Sequence, residues 1–182
     1  MTVQNCVRRL AGRTVAAVAA TIMMSAPAKA EVLDASATTF TVRTTVTVSK
    51  DAAAVYDVFT QRLGEWWNGS HSYSGQSSNL SLAARAGGCF CEQLKDGSVE
   101  HMTVIYAERG KMLRLRGGLG PLQSLTVIGV WTVTFQEQNG KTTVESTYAV
   151  GGYTKDGLAA LAPLVDGVMT DQVTRFQRLA ER

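Results

Sequence analysis

Gly88-Cys-Phe-Cys-Glu-Gln-Leu-Lys-Asp-Gly-Ser-Val-Glu-His-Met-Thr-Val-Ile-Tyr-Ala107 is the stretch that decides the fold. Its two halves read with period two, the signature of strands whose successive side chains face opposite ways. Between them stands Asp96-Gly97, a strong hairpin signal because both residues tolerate positive φ. We therefore expect antiparallel strands near 88–95 and 98–107. The same pattern runs outward to strands near 79–85, 111–117, 123–137 and 141–150. Their separators are Gly87-Gly88, Gly110-Lys111, Gly117 to Pro121 and Asn139-Gly140. Connections this short join antiparallel neighbours.

Upstream, Thr39-Phe-Thr-Val-Arg-Thr-Thr-Val-Thr-Val48 predicts a strand with one wet face. Ser49 and Asp51 offer an N-cap. A helix follows from Ala52 to Leu63, with Val55, Val58, Phe59 and Leu63 at helical spacing and Gly64 as its stop. Glu65-Trp66-Trp67 suggests a short second helix. Downstream, Leu161, Leu164, Val165, Val168, Met169, Val173, Phe176 and Leu179 form an apolar stripe on a helix over 158–179. Pro163 sits near its start, where proline is tolerated. The class is α+β. About seven antiparallel strands form a curved sheet, with one or two short helices after the first strand and a long C-terminal helix over one face. Such a sheet needs one face covered. If it bends around the helix, a cavity is expected between them.

The first thirty residues read as an export signal. Arg8, Arg9 and Arg13 form a basic n-region, Thr14 to Met24 an apolar h-region, and Ala28-Lys29-Ala30 a small-x-small cleavage site. Cleavage is expected after Ala30, leaving a flexible lead over 31–38 and a domain over 39–182. The Arg8-Arg9 pair also admits a twin-arginine route. The full chain has 18 basic and 15 acidic residues, but the leader holds four of the basic ones and no acid. The remainder carries 14 against 15, a net charge of −1. No basic cluster survives to bind nucleic acid. We expect no stable membrane span after cleavage, and an exported, periplasmic protein.

The element order resembles the START-like or Bet v 1-like (SRPBCC) helix-grip superfamily, in its polyketide cyclase-like and Hsp90-ATPase-activator-like branch. The stretches that carry this are Val46 to Phe59, Gly64-Glu65-Trp66-Trp67, Gly87-Gly88-Cys89-Phe90-Cys91-Glu92, Leu113-Arg114-Leu115 and Gly129-Val130-Trp131-Thr132. The resemblance covers nearly all of the chain after the leader and implies a helix-grip domain. Its members include lipid and hormone carriers, cyclases, dehydratases and co-chaperones, so fold locates a site without naming its chemistry. A cytosolic co-chaperone role does not fit an exported chain.

Counting outward from a two-residue Asp96-Gly97 loop places Lys95 opposite Ser98, Glu92 opposite His101 and Cys91 opposite Met102. Directly opposed side chains interact. Glu92 and His101, sharing a face with Phe90 and Thr103, are therefore candidates for an acid–base pair. They are also readable as cavity-lining residues or as a structural ion pair, because the other face, with Cys89, Cys91, Met102, Val104 and Tyr106, is at least as apolar. Cys89 and Cys91 stand i, i+2 and point the same way. They read as small buried hydrophobes; a disulfide between them would need backbone distortion, but an oxidising compartment leaves their redox state open. Adding His71 and His101 does not make a convincing metal site, and none is expected. Neither is a cofactor. Trp66, Trp67, His71 and Tyr73 lie in the densest aromatic and polar stretch, which in the resembled fold borders the cavity entrance. Trp131 and Tyr148 are expected in the core or cavity wall.

Glu92, His101, Trp66, Trp67, His71, Tyr73, Phe90, Trp131 and Tyr148 thus make up the candidate binding set. The expected function is binding of a small, mostly apolar or aromatic molecule in an internal cavity, with catalysis doubtful. The alternative is a polyketide cyclase- or dehydratase-like enzyme using Glu92 and His101.

Overall fold

The computed structural model describes residues 28–182. Most of the expected leader lies outside the described residues. Eight strands form one antiparallel sheet: β1 (Lys29–Ala35), β2 (Thr39–Val48), β3 (Leu80–Leu82), β4 (Cys89–Leu94), β5 (Gly97–Glu108), β6 (Met112–Gly117), β7 (Thr126–Gln138) and β8 (Lys141–Tyr153). Their order is β1-β2-β8-β7-β6-β5-β4-β3. Helices α1 (Ala52–Gln61) and α2 (Leu63–Trp66) follow β2, and α3 (Ala162–Ala180) closes the chain. The domain is a curved antiparallel sheet with a long C-terminal helix, as the strand spacing implied.

The strand count differs by one. The expected flexible lead over 31–38 contributes to β1, which pairs with β2 from Lys29↔Thr45 to Ala35↔Phe40. Its side chains are mostly exposed, so no burial pattern marks it in the sequence. Backbone pairing with β2 and the 2.7 Å Arg43–Glu31 ion pair tie it to the sheet.

Alternation sets the core. On β2, Phe40, Val42, Thr44, Val46 and Val48 are all buried while their neighbours are half-exposed. Trp131, Val133 and Phe135 of β7 and Val144, Ser146, Tyr148 and Val150 of β8 continue that face. Each such apolar side chain contributes about 1.5–3 kcal/mol by leaving water. Helix α3 covers this face with Met169, Val173, Phe176 and Leu179. Leu164, expected on the stripe, is 66% exposed in the first turn. Gln172 and Gln177 are buried instead. Gln177 is accommodated because its amide donates to Thr47 O at 2.9 Å. Asp51 caps α1, accepting from Ala54 N at 2.9 Å. The first α-helix ends at Gln61, earlier than expected, and Leu63 begins the second turn of helix.

Candidate functional site

The β4–β5 hairpin does not turn where the Asp-Gly signal placed it. Leu94 pairs with Gly97, so the loop is Lys95-Asp96 and each β4 residue near the turn faces a β5 residue two positions earlier than expected. Glu92 therefore faces Val99, and Cys91 faces Glu100. A bulge between Phe90 and Cys91 takes back one of those two positions by leaving His101 as an extra residue on β5. Phe90 then pairs with Met102 and Cys89 with Thr103. Bulges redirect side chains, and here both His101 and Met102 turn inward. By contrast, Asn139 and Gly140 do adopt positive φ, 54° and 71°, as their hairpin requires.

The bulge brings His101 Nε2 to 2.9 Å from Glu92 Oε2, with Glu92 fully buried and His101 5% exposed. The expected pair thus exists, though not as directly opposed residues, and Thr103 does not share its face. Glu92 also accepts from Tyr73 N–H at 3.0 Å and from Ser74 N–H at 2.5 Å. Burial pushes its carboxyl up, but hydrogen bonds from Ser74, Tyr73 and His101 outweigh this and hold it down to about 2. An ionised carboxylate can only accept, so His101 Nε2 carries the hydrogen in this bond. Both oxygens are occupied by loop or ring donors. The arrangement is a clamp that fastens the segment following α2 to the inner face of the sheet.

That segment has a second anchor on α3. Asn68 N–H donates to Gln172 Oε1 at 2.7 Å, and Asn68 Nδ2 donates to Asp171 Oδ2 at 2.8 Å. Trp67 Nε1 donates to His71 O at 3.1 Å, closing the turn on itself. Residues 67–79 contain only two short 3-10 turns, Gly69–His71 and Ser77–Asn79, and no strand pairing. The sequence offered little sign of Ser74, Asn68, Asp171 and Gln172 as partners. A glutamine on the apolar face of α3 was the one available hint.

Where a cavity was expected, aromatic rings meet. Phe59 lies 4.9 Å from Trp66 and 5.0 Å from Phe176, centroid to centroid. Trp67 packs on Phe90 at 5.2 Å and on Trp131 at 6.2 Å. Phe90 stacks against His101 at 5.0 Å, and Tyr73 covers His101 from the loop at 5.8 Å. Trp66, Trp67, Phe90, Glu92, His101, Trp131 and Tyr148 are all buried, so seven of the nine candidates lie inside. His71 and Tyr73 are exposed on the loop. Burial pushes the Tyr148 hydroxyl up to about 12. It donates to Gly117 O at 3.3 Å and accepts from Leu119 N–H at 3.2 Å, which places it under the β6–β7 connection, away from Glu92.

The open grooves lie elsewhere. One of about 370 Å³ runs between α1 and the sheet, with Tyr56, Leu82 and Ala107 on its walls and the Asp57–Arg109 ion pair among its lining residues. Another of about 390 Å³ lies on the outer face beside Lys29, Arg43 and Glu145. Cys89 and Cys91, read from sequence as small buried hydrophobes of open redox state, are half-buried and joined in a disulfide, with a Cα–Cα distance of 5.3 Å. The register irregularity between Phe90 and Cys91 falls within the same segment. Among the described residues no group of three or more His, Cys, Asp or Glu side chains could hold a metal ion. Among the same residues no helix is long and apolar enough to cross a membrane.

Residues 39–181 match the sequence model of the family described as polyketide cyclase / dehydrase and lipid transport. No curated protein matches the chain in sequence. Solved structures share the fold at low identity. An uncharacterized protein from Rhizobium leguminosarum has a TM-score of 0.60 at 16% identity, covering 86% of this chain and 99% of its own. The Enterococcus faecalis protein EF2215 gives 0.57 at 13%, covering 84% and 77%. Norcoclaurine synthase from Thalictrum flavum gives 0.57 at 12%, covering 79% and 87%. At these identities the likeness speaks for the fold alone.

Proposed function

Because the chain belongs to the polyketide cyclase, dehydrase and lipid transport family, we propose that it is an exported carrier for a small, mostly apolar molecule. The guest enters between α3 and the sheet when residues 67–79 lift. One observation carries this reading: the loop over the aromatic cluster is held by a few polar bonds, to Glu92, Gln172 and Asp171, rather than by strand pairing. Releasing those bonds, together with the Tyr73 hydroxyl's contacts to Gly120 O and Gln123 Oε1, uncovers Phe90 and His101. Aromatic faces of this kind suit an apolar or planar guest. Export rests on the basic and apolar character of residues 1–30. Cleavage after Ala30 removes the first two residues of β1 and keeps Glu31, whose bond to Arg43 anchors the rest.

A cyclase- or dehydratase-like activity through Glu92 and His101 is the weaker reading. A carboxylate held near 2 and occupied by peptide N–H groups is a poor proton donor or base near neutral pH.

Native mass spectrometry of freshly purified protein, followed by tryptophan-emission titration with fatty acids, sterols and polyaromatic compounds, tests the carrier proposal. The expected result is a one-to-one mass adduct and a saturable emission change. An empty protein whose emission does not respond to any of the three classes overturns it.

A further inference from the structure

On β4, Cys89 and Cys91 flank Phe90, whose ring is buried against His101 and Trp67. The two cysteines face the other way, half-buried on the outer side of the sheet. Extended strands rise about 3.3 Å per residue, so an i, i+2 pair spans roughly 6.6 Å. Here the span is 5.3 Å. The strand is therefore compressed between its two cysteines, at the very rungs where β5 carries its surplus residue. That surplus residue is His101, and its inward turn gives Glu92 its ring partner.

We infer that Cys89–Cys91 is a thiol–disulfide exchange site for an external dithiol, and that its oxidation state sets the Glu92 clamp on residues 67–79. Half-exposed disulfides are the accessible class for exchange. A thiolate of the dithiol attacks one of the two sulfurs, breaking the Cys89–Cys91 bond and forming a mixed disulfide. The dithiol's second thiol then displaces that bond. Two electrons pass from the dithiol to the protein, which gains two protons as Cys89 and Cys91 thiols, and the dithiol leaves as its own disulfide. With β4 free to extend by about an ångström, the bulge loses its cause. His101 shifts toward the regular alternation, which points it out of the interior. Glu92 then loses its ring donor, and the Tyr73 and Ser74 amides are held less firmly. Cys89 and Cys91 act as positioning residues here and touch no substrate.

The inference does not depend on a bound guest, so its test uses the full chain without one. The protein is treated with dithiothreitol under native conditions, alkylated, and mapped by peptide mass so that Cys6 is counted separately. Amide exchange is then compared between the oxidised and reduced forms. The expected result is alkylation of both Cys89 and Cys91 without denaturant, with Tyr73 and Ser74 amides exchanging at least tenfold faster after reduction and recovering on reoxidation. The double variant Cys89→Ser, Cys91→Ser reproduces the fast exchange. Cysteines that react only after unfolding overturn the exchange site. Reduction that leaves the two amides unchanged overturns the link to the clamp. If the double variant does not fold, the reduced wild-type protein decides alone.

Discussion

Glu92 Oε2 and His101 Nε2 stand 2.9 Å apart although neither residue is the other's partner across the β4–β5 ladder. A single surplus residue on β5 closes that gap. The same carboxylate receives the peptide N–H groups of Tyr73 and Ser74, so one buried charge joins two strands to the loop that covers them.

Replacing Glu92 by glutamine removes that charge and puts an amide donor where only an acceptor fits. At least one of the three donors is left unpaired in the interior, at a cost of about 1–3 kcal/mol. Urea unfolding should show this as a lower midpoint with an unchanged slope. Exchange at Tyr73 and Ser74 should rise at the same time. A variant as stable as the parent would mean that the clamp contributes nothing.

The same carboxyl makes stability depend on acid. Its folded-state value, about 2, lies below its ordinary 4.5. A depressed value means that ionisation favours the folded state. The contribution is complete above about pH 4.5 and is lost as pH falls toward 2, amounting to a few kcal/mol. Denaturation midpoints measured at pH 6, 4, 3 and 2.5 should fall more steeply for the parent than for Glu92→Gln. Parallel curves would remove Glu92 as the cause.

Gly129 of β7 has no side chain because the Tyr148 ring lies across it; a Cβ there would land on that ring. Tyr148 is fully buried and bonded at its hydroxyl, so it has nowhere to move. Gly129→Ala should cost about 1–3 kcal/mol by overpacking. Combined with Tyr148→Leu, the loss should be smaller than the sum of the two single losses, and a double-mutant cycle measures the coupling.

Phe59 touches Trp66, Trp131, Phe135 and Phe176 within 5.8 Å, centroid to centroid. It is the hub between α1, α3 and the sheet. Phe59→Ala should cost about 3–5 kcal/mol, and Phe59→Leu clearly less. Thermal unfolding compares the two. Near-equal losses would show that the ring contacts matter more than the volume they fill.

Legibility followed the range of the interaction. Strand β2 over Thr39–Val48 was readable to the residue, because alternation is local and one face of the strand is buried. The Asn139-Gly140 hairpin was readable because its backbone angles belong to those two residues. The Asp96-Gly97 hairpin misled, because pairing along two longer strands outweighed the turn preference. Seven side chains of the candidate set lie in the interior, and His71 and Tyr73 lie on the exposed loop. The loop partners of Glu92 escaped notice because they act through peptide N–H groups, which every residue except proline carries.

What the amino-acid order determined alone was the kind and succession of elements: alternation for the sheet, three- and four-residue spacing for α3, and short polar turns that make neighbours antiparallel. Tertiary structure alone decided the bulge that turns His101 inward, the Cys89–Cys91 bond and the ring contacts under α3. The reason is physical. Periodicity is a property of one segment, whereas a bulge, a cross-link and a packed volume depend on how two or more segments share one space.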